Sequence, residues 1–181
     1  MNNNLDIDKI IELRNFLCIS WQSYATAMIT LDKLMHNTLV RNGMETAFIS
    51  NESLALNFLT STRAFIRTAE KISNIVQNYS LQEYGRNFKN EFSDHKNTRD
   101  IVEHIDEYIF GNGGLQRKKG LILSGVPINV FLDERSVVII QVYSLDIIDA
   151  SKFSYWLDGY MHYLEKKLHE LIFTNVIWEG F

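Results

Sequence analysis

The chain has 181 residues, of which 46% are hydrophobic and 22% charged, with a formal net charge of −4. That length supports one domain spanning 1–181 with a substantial core, and the composition excludes intrinsic disorder. The negative balance argues against broad, charge-driven coating of DNA but leaves room for RNA cleavage at a small basic site.

The first residues, Met-Asn-Asn-Asn-Leu-Asp-Ile-Asp, have no basic stretch followed by an apolar one, so no signal peptide is expected. No apolar run approaches the roughly 18 residues that a membrane span needs. A cytoplasmic protein without a membrane partner is the expectation. A helical pattern then runs from about residue 5 to residue 41. Ile10, Leu17, Tyr24 and Leu31 recur at intervals of seven, flanked by Leu13, Ala27 and Leu34 on one side and Trp21, Met28 and Met35 on the other. This stripe is wider than a coiled-coil seam and fits a bundle helix facing a core. Cys18 is the one cysteine, so no internal disulfide and no cysteine zinc site can form. Lying between Leu17 and Ile19, it reads as a small buried hydrophobe. Asn42-Gly43 is a plausible stop.

A second helix is predicted to start at Ser50 or Asn51, with Glu52 in its first turn. Phe58, Leu59, Phe65, Ile66, Ile72, Val76 and Tyr79 form its apolar face. Ser80 and Glu83 have the capping-box spacing, which predicts a shorter third helix from there. A fourth should run from Asp94 or Asn97 to Ile109, ended by the glycines at 111, 113 and 114. Between about 120 and 142 the pattern turns to strands. Ile128, Val130 and Leu132 alternate with Asn129 and Phe131, Asp133-Glu134-Arg135 reads as a turn, and 136–142 is β-branched. This predicts a small hairpin, with room for a short strand before it. A lone two-stranded ribbon is marginal, so it must pack on the helices or on a partner. The last helix should begin between Asp146 and Ser151, with Phe153, Trp156, Leu157, Tyr160, Leu164, Leu168 and Leu171 on its apolar face. The fold class is therefore mainly α, a bundle of four to five helices with an inserted β-hairpin.

The predicted fourth helix is dense in ionisable groups: Asn97-Thr-Arg99-Asp100-Ile-Val-Glu103-His104-Ile-Asp106-Glu107-Tyr108. Ile101 and Ile105 give it a narrow buried side. His104 is one turn from both Asp100 and Tyr108, so the three share a face. A carboxylate beside an imidazole orients it and raises its basicity, and the guanidinium of Arg99 suits phosphate. The bland reading is a solvated helix face, since Arg99 with Glu103 and Glu103 with Glu107 follow the i,i+4 spacing of exposed charges. Arg99 and His104 lie about 140° apart on an ideal helix. They reach one ligand only from a groove rim, or where two subunits bring two such helices together.

Arg99-Asp100 followed after three residues by His104, on a late helix of a small helical protein, resembles the motif of the HEPN superfamily. The resemblance covers about a dozen residues in detail and the helical architecture elsewhere. It implies a bundle that dimerises, with two motifs lining one cleft as a metal-independent ribonuclease site. Arg99, Asp100 and His104 match the arginine, polar and histidine positions, with Glu103 and Tyr108 as accessory residues. Many toxin-type members carry a tyrosine two residues after the histidine; here that position is Asp106, and the tyrosine stands at Tyr108. The inserted hairpin is also foreign to the minimal bundle.

Weaker signals surround this one. Arg63, Arg67 and Lys71, at intervals of four on the second helix, form a basic stripe that could track a phosphate backbone or equally be a solvated face. Residues 116–119, Gln-Arg-Lys-Lys, make a second basic cluster. His95, Asp100, Glu103, His104 and Glu107 offer metal ligands, but neither His-Glu-x-x-His nor the paired Glu-x-x-His of di-iron bundles is present. No metal and no cofactor is expected. Two functional readings remain open. One is a homodimeric HEPN-like endoribonuclease of a toxin–antitoxin or anti-phage system, with RNA as substrate and an antitoxin as partner. The other is a non-catalytic helical protein-interaction module.

Overall fold

The structure, a computed structural model, describes residues 7–40, 51–91, 101, 104, 107, 128–135, 137–142 and 146–176. Among these residues the chain is mainly helical, with one small antiparallel sheet, as the hydrophobic periodicity predicts. The elements in chain order are α1 (Ile7–Val40), α2 (Asn51–Val76), α3 (Tyr79–Glu91), β1 (Ile128–Leu132), β2 (Val138–Val142), β3 (Asp146–Asp149) and α4 (Ala150–Val176). Most of the predicted fourth helix, Asn42-Gly43, the glycines at 111–114 and the basic cluster at 116–119 lie outside the described residues.

α1 and α2 run antiparallel, because Ser20 meets Thr68 while Tyr24, further along α1, meets the earlier Phe65. α2 and α4 run parallel, with Phe58 against Phe153 and Phe65 against Tyr160. Leu31 and Leu34 of α1, Phe58 and Phe65 of α2, and Leu157 and Tyr160 of α4 form one continuous core. The face predicted for α2 is largely the buried one, but Tyr79 is exposed. The reason is a break in the helix. Gln77 takes φ 48°, the left-handed conformation that ends a helix, so Tyr79 opens α3 and no longer continues the α2 face. The sequence places the α3 cap at Ser80; the structure places it at Asn78, whose Oδ1 accepts the Leu81 N–H at 3.1 Å. A left-handed glutamine carries a steric cost that glycine avoids. Gln77→Gly should therefore raise stability by about 0.5–1 kcal/mol in urea titration.

α1 departs most from its predicted pattern. Leu13, Ala27, Leu31 and Leu34 are buried, as expected for one flank of the stripe, but Ile10 and Trp21 are exposed. Cys18, expected to be buried, is exposed as well. The cause is that apolar residues occur all around this helix, so apolar neighbours in sequence do not identify the core side. The buried side is centred near Ala27, and Cys18 lies nine residues from it, about two and a half turns away and so on the opposite side.

The hairpin forms where predicted, with Ile128 opposite Val142, Val130 opposite Ile140 and Leu132 opposite Val138. Asp133 closes it, its Oδ1 accepting N–H groups from Arg135 at 2.9 Å and Val137 at 2.8 Å. The Val137 N–H, followed by the contacts from Arg135, holds the Asp133 carboxyl below the usual range. A third strand exists, but the one described follows the hairpin: β3 pairs with β2, Ile148 opposite Ile140. Ile148 is buried while Ile147 is exposed, the alternation of a half-buried strand. Ile128, Val138, Ile140, Val142 and Ile148 join the helical core, so the sheet packs on the helices. Asp149 ends β3 and caps α4, accepting the Lys152 N–H at 2.8 Å.

Candidate functional site

Of the predicted catalytic residues, His104 is described; Arg99, Asp100, Glu103 and Tyr108 lie outside the described residues. Ile101 is wholly buried, as the narrow apolar side of this segment predicts. That buried side chain anchors the segment to the core three residues before the histidine. The chain turns at His104, between helical backbone at Ile101 and at Glu107.

His104 Nδ1 lies 3.4 Å from Glu107 Oε1, and the two side chains are 50% and 41% exposed. The sequence points to Asp100 as the carboxylate beside this imidazole; Asp100 lies outside the described residues, and Glu107 is a carboxylate found beside it. The i,i+3 spacing of His104 and Glu107 was the signal available for it. An exposed pair of this kind contributes little to stability. Its chemical consequence is orientation. A carboxylate at Nδ1 restrains the ring and leaves the opposite nitrogen, Nε2, to exchange a proton.

On α2, Arg67 and Lys71 are exposed, while Arg63 is half-buried with its Nε fully covered. The predicted basic stripe thus presents two exposed cations, and its third member is drawn toward the protein. Among the described residues, no group of three His, Cys, Asp or Glu side chains could hold a metal ion. His162 and His169 are exposed on α4.

A second cluster, missed by sequence reasoning, joins α1, α3 and α4 through aromatic rings. The Tyr84 ring stacks on Tyr163 at 5.4 Å, tilts against Tyr160 at 5.1 Å and meets Trp156 edge-on at 6.1 Å. Tyr24 donates its hydroxyl proton to Asp158 Oδ1, tying α1 to α4. Burial, then the hydrogen bond and charge of Asp158, push the Tyr24 hydroxyl up to about 12. Burial likewise raises Tyr84 and Tyr160. These hydroxyls keep their protons at neutral pH, so the cluster packs helices and supplies no general base.

The chain was compared with known protein families, curated proteins and solved structures, and it matches none of them. Among the described residues, no helix is long and apolar enough to cross a membrane.

Proposed function

We propose that the chain is a metal-independent endoribonuclease of the HEPN type, acting as a cytoplasmic homodimer in a toxin–antitoxin or anti-phage system. The observation that supports this reading is the half-exposed His104 imidazole beside the Glu107 carboxylate, on a segment anchored by buried Ile101. In the proposed reaction an imidazole takes the proton of a ribose 2′-hydroxyl, and the 2′-oxygen attacks phosphorus. The bond to the 5′-oxygen breaks, and that oxygen leaves with a proton from the acid partner. Arg99 stabilises the charge on the transition state, and Asp100 and Glu107 orient imidazoles. Glu103 and Tyr108 are accessory, and the exposed Arg67 and Lys71 contact the RNA backbone. The products are a 2′,3′-cyclic phosphate and a 5′-hydroxyl.

End-labelled RNA incubated with the purified chain and excess chelator tests this. Cleavage with cyclic phosphate ends is expected. Products with 3′-hydroxyl ends, or activity abolished by the chelator, would overturn it. A second reading, a non-catalytic interaction module, is favoured by the exposed isoleucines of α1; it predicts no cleavage of any RNA.

A further inference from the structure

α1 carries most of the large hydrophobic side chains exposed on the described residues. Ile7 is 73% exposed, Ile11 53% and Ile29 57%, and Ile10, Ile19 and Trp21 are exposed as well. A helix apolar on every side is ordinarily covered on every side. Here the side facing away from the core is open.

The open face has an internal order. Ile7 and Ala25 are 18 residues apart, as are Ile11 and Ile29, and 18 residues make about five turns. The two pairs form neighbouring rows about 40° apart, and Cys18 lies between them at the centre. Ile7 and Ile29 stand eleven residues to either side of Cys18, and Ile11 and Ala25 stand seven to either side. In an antiparallel pair centred on Cys18, residue 7 meets residue 29 and residue 11 meets residue 25, so these apolar positions meet apolar positions across a twofold axis.

We propose that this face of α1 binds a second copy of the chain, the two helices antiparallel and the two Cys18 residues meeting on the twofold axis. Ile7 of each copy then packs against Ile29 of the other, and Ile11 against Ala25, large against small. Cys18 and Ala25 let the helices approach closely where they cross. Arg14 comes opposite Gln22, so no like charges face each other there. The exposed fractions of Ile7, Ile11 and Ile29 correspond to roughly 350 Å² of surface per chain, most of the apolar share of the ~800 Å² each partner covers in a standard interface. The surface is carried by this exposure pattern and does not rest on the nuclease reading.

Sedimentation and thiol cross-linking test it. The full chain at tens of micromolar should sediment as a dimer, and mild copper–phenanthroline oxidation should join it through Cys18. Ile11→Asp should give a monomer with unchanged helical circular dichroism. In a Cys18→Ser background, the chain with both Ile11→Cys and Ala25→Cys should cross-link, and the chain with either alone should not. A monomeric wild type, a dimer that survives Ile11→Asp, or cross-linking by Ile11→Cys alone would each overturn the proposal. RNA cleavage is a separate readout, so its presence or absence leaves these outcomes unchanged.

Discussion

Gly159→Ala is expected to destabilise the protein by about 1–3 kcal/mol, although the same change inside an ordinary helix stabilises by up to about 1 kcal/mol. The reason is a reciprocal contact between α3 and α4. A Cβ on Gly159 would stand 2.6 Å from the Tyr84 hydroxyl oxygen, and a Cβ on Gly85 would stand 2.9 Å from that of Tyr160. Each helix contributes an adjacent tyrosine and glycine, and each tyrosine ends over the other helix's glycine. A tyrosine tip can often swing aside, which would make the clash cheap. Tyr84 is held by Tyr163, Tyr160 and Trp156, and Tyr160 is wholly buried against Phe65 at 5.5 Å. Neither ring can turn without disturbing the others. The clash is with one atom, so it has a specific cure. In a Tyr84→Phe background the nearest atom to the new Cβ becomes the ring carbon at 3.9 Å, an ordinary contact. There Gly159→Ala should be neutral or stabilising. Urea titration of the four chains gives the coupling directly. Equal losses with and without the Tyr84 hydroxyl would show that the glycine serves backbone conformation instead.

How much of this was legible beforehand depended on whether the signal was local. α2 and α4 show their buried faces in the spacing of Phe58, Phe65 and Ile72 and of Phe153, Tyr160 and Leu164, because their exposed positions are mostly polar. The hairpin register follows from alternation about Asp133, which fixes the turn. α1 was legible as a helix but not in orientation. With isoleucines on the Cys18 side and leucines on the Ala27 side, periodicity alone does not choose between Ala27 and Cys18 as the inward residue. The Tyr84–Gly85 and Gly159–Tyr160 pairs are ordinary in sequence, and their meaning comes from two segments that meet only after folding. At the candidate site, His104 stood out through its neighbours in the motif, and Ile101 through its apolar spacing. The pairing with Glu107 was open to the same reasoning, since i,i+3 neighbours share a helix face.

His104→Ala is expected to lower RNA cleavage by at least about 10²–10⁴-fold, the usual contribution of a positioned general acid or base. Its side chain is half exposed and its contact with Glu107 is 3.4 Å, so the loss to folding should stay within about 0.5 kcal/mol. Activity and stability are thus separable at this residue, and a folded but inactive variant would implicate the imidazole itself. Glu107→Gln should cost less than His104→Ala, since it removes orientation and leaves the proton carrier. Arg99→Ala should be as damaging as His104→Ala through the loss of transition-state charge stabilisation. The sharper experiment mixes the two inactive chains. The proposed shared cleft takes Arg99 from one copy and His104 from the other. In a mixed dimer one site would then lack both residues and the other would hold both. After subunit exchange, activity should recover to about a quarter of the wild-type level, since half the dimers are mixed and each contains one intact site of two. If subunits exchange and no activity returns, Arg99 and His104 act within one chain and the shared-cleft geometry is wrong. If neither single substitution affects cleavage, the ribonuclease reading of this segment is wrong.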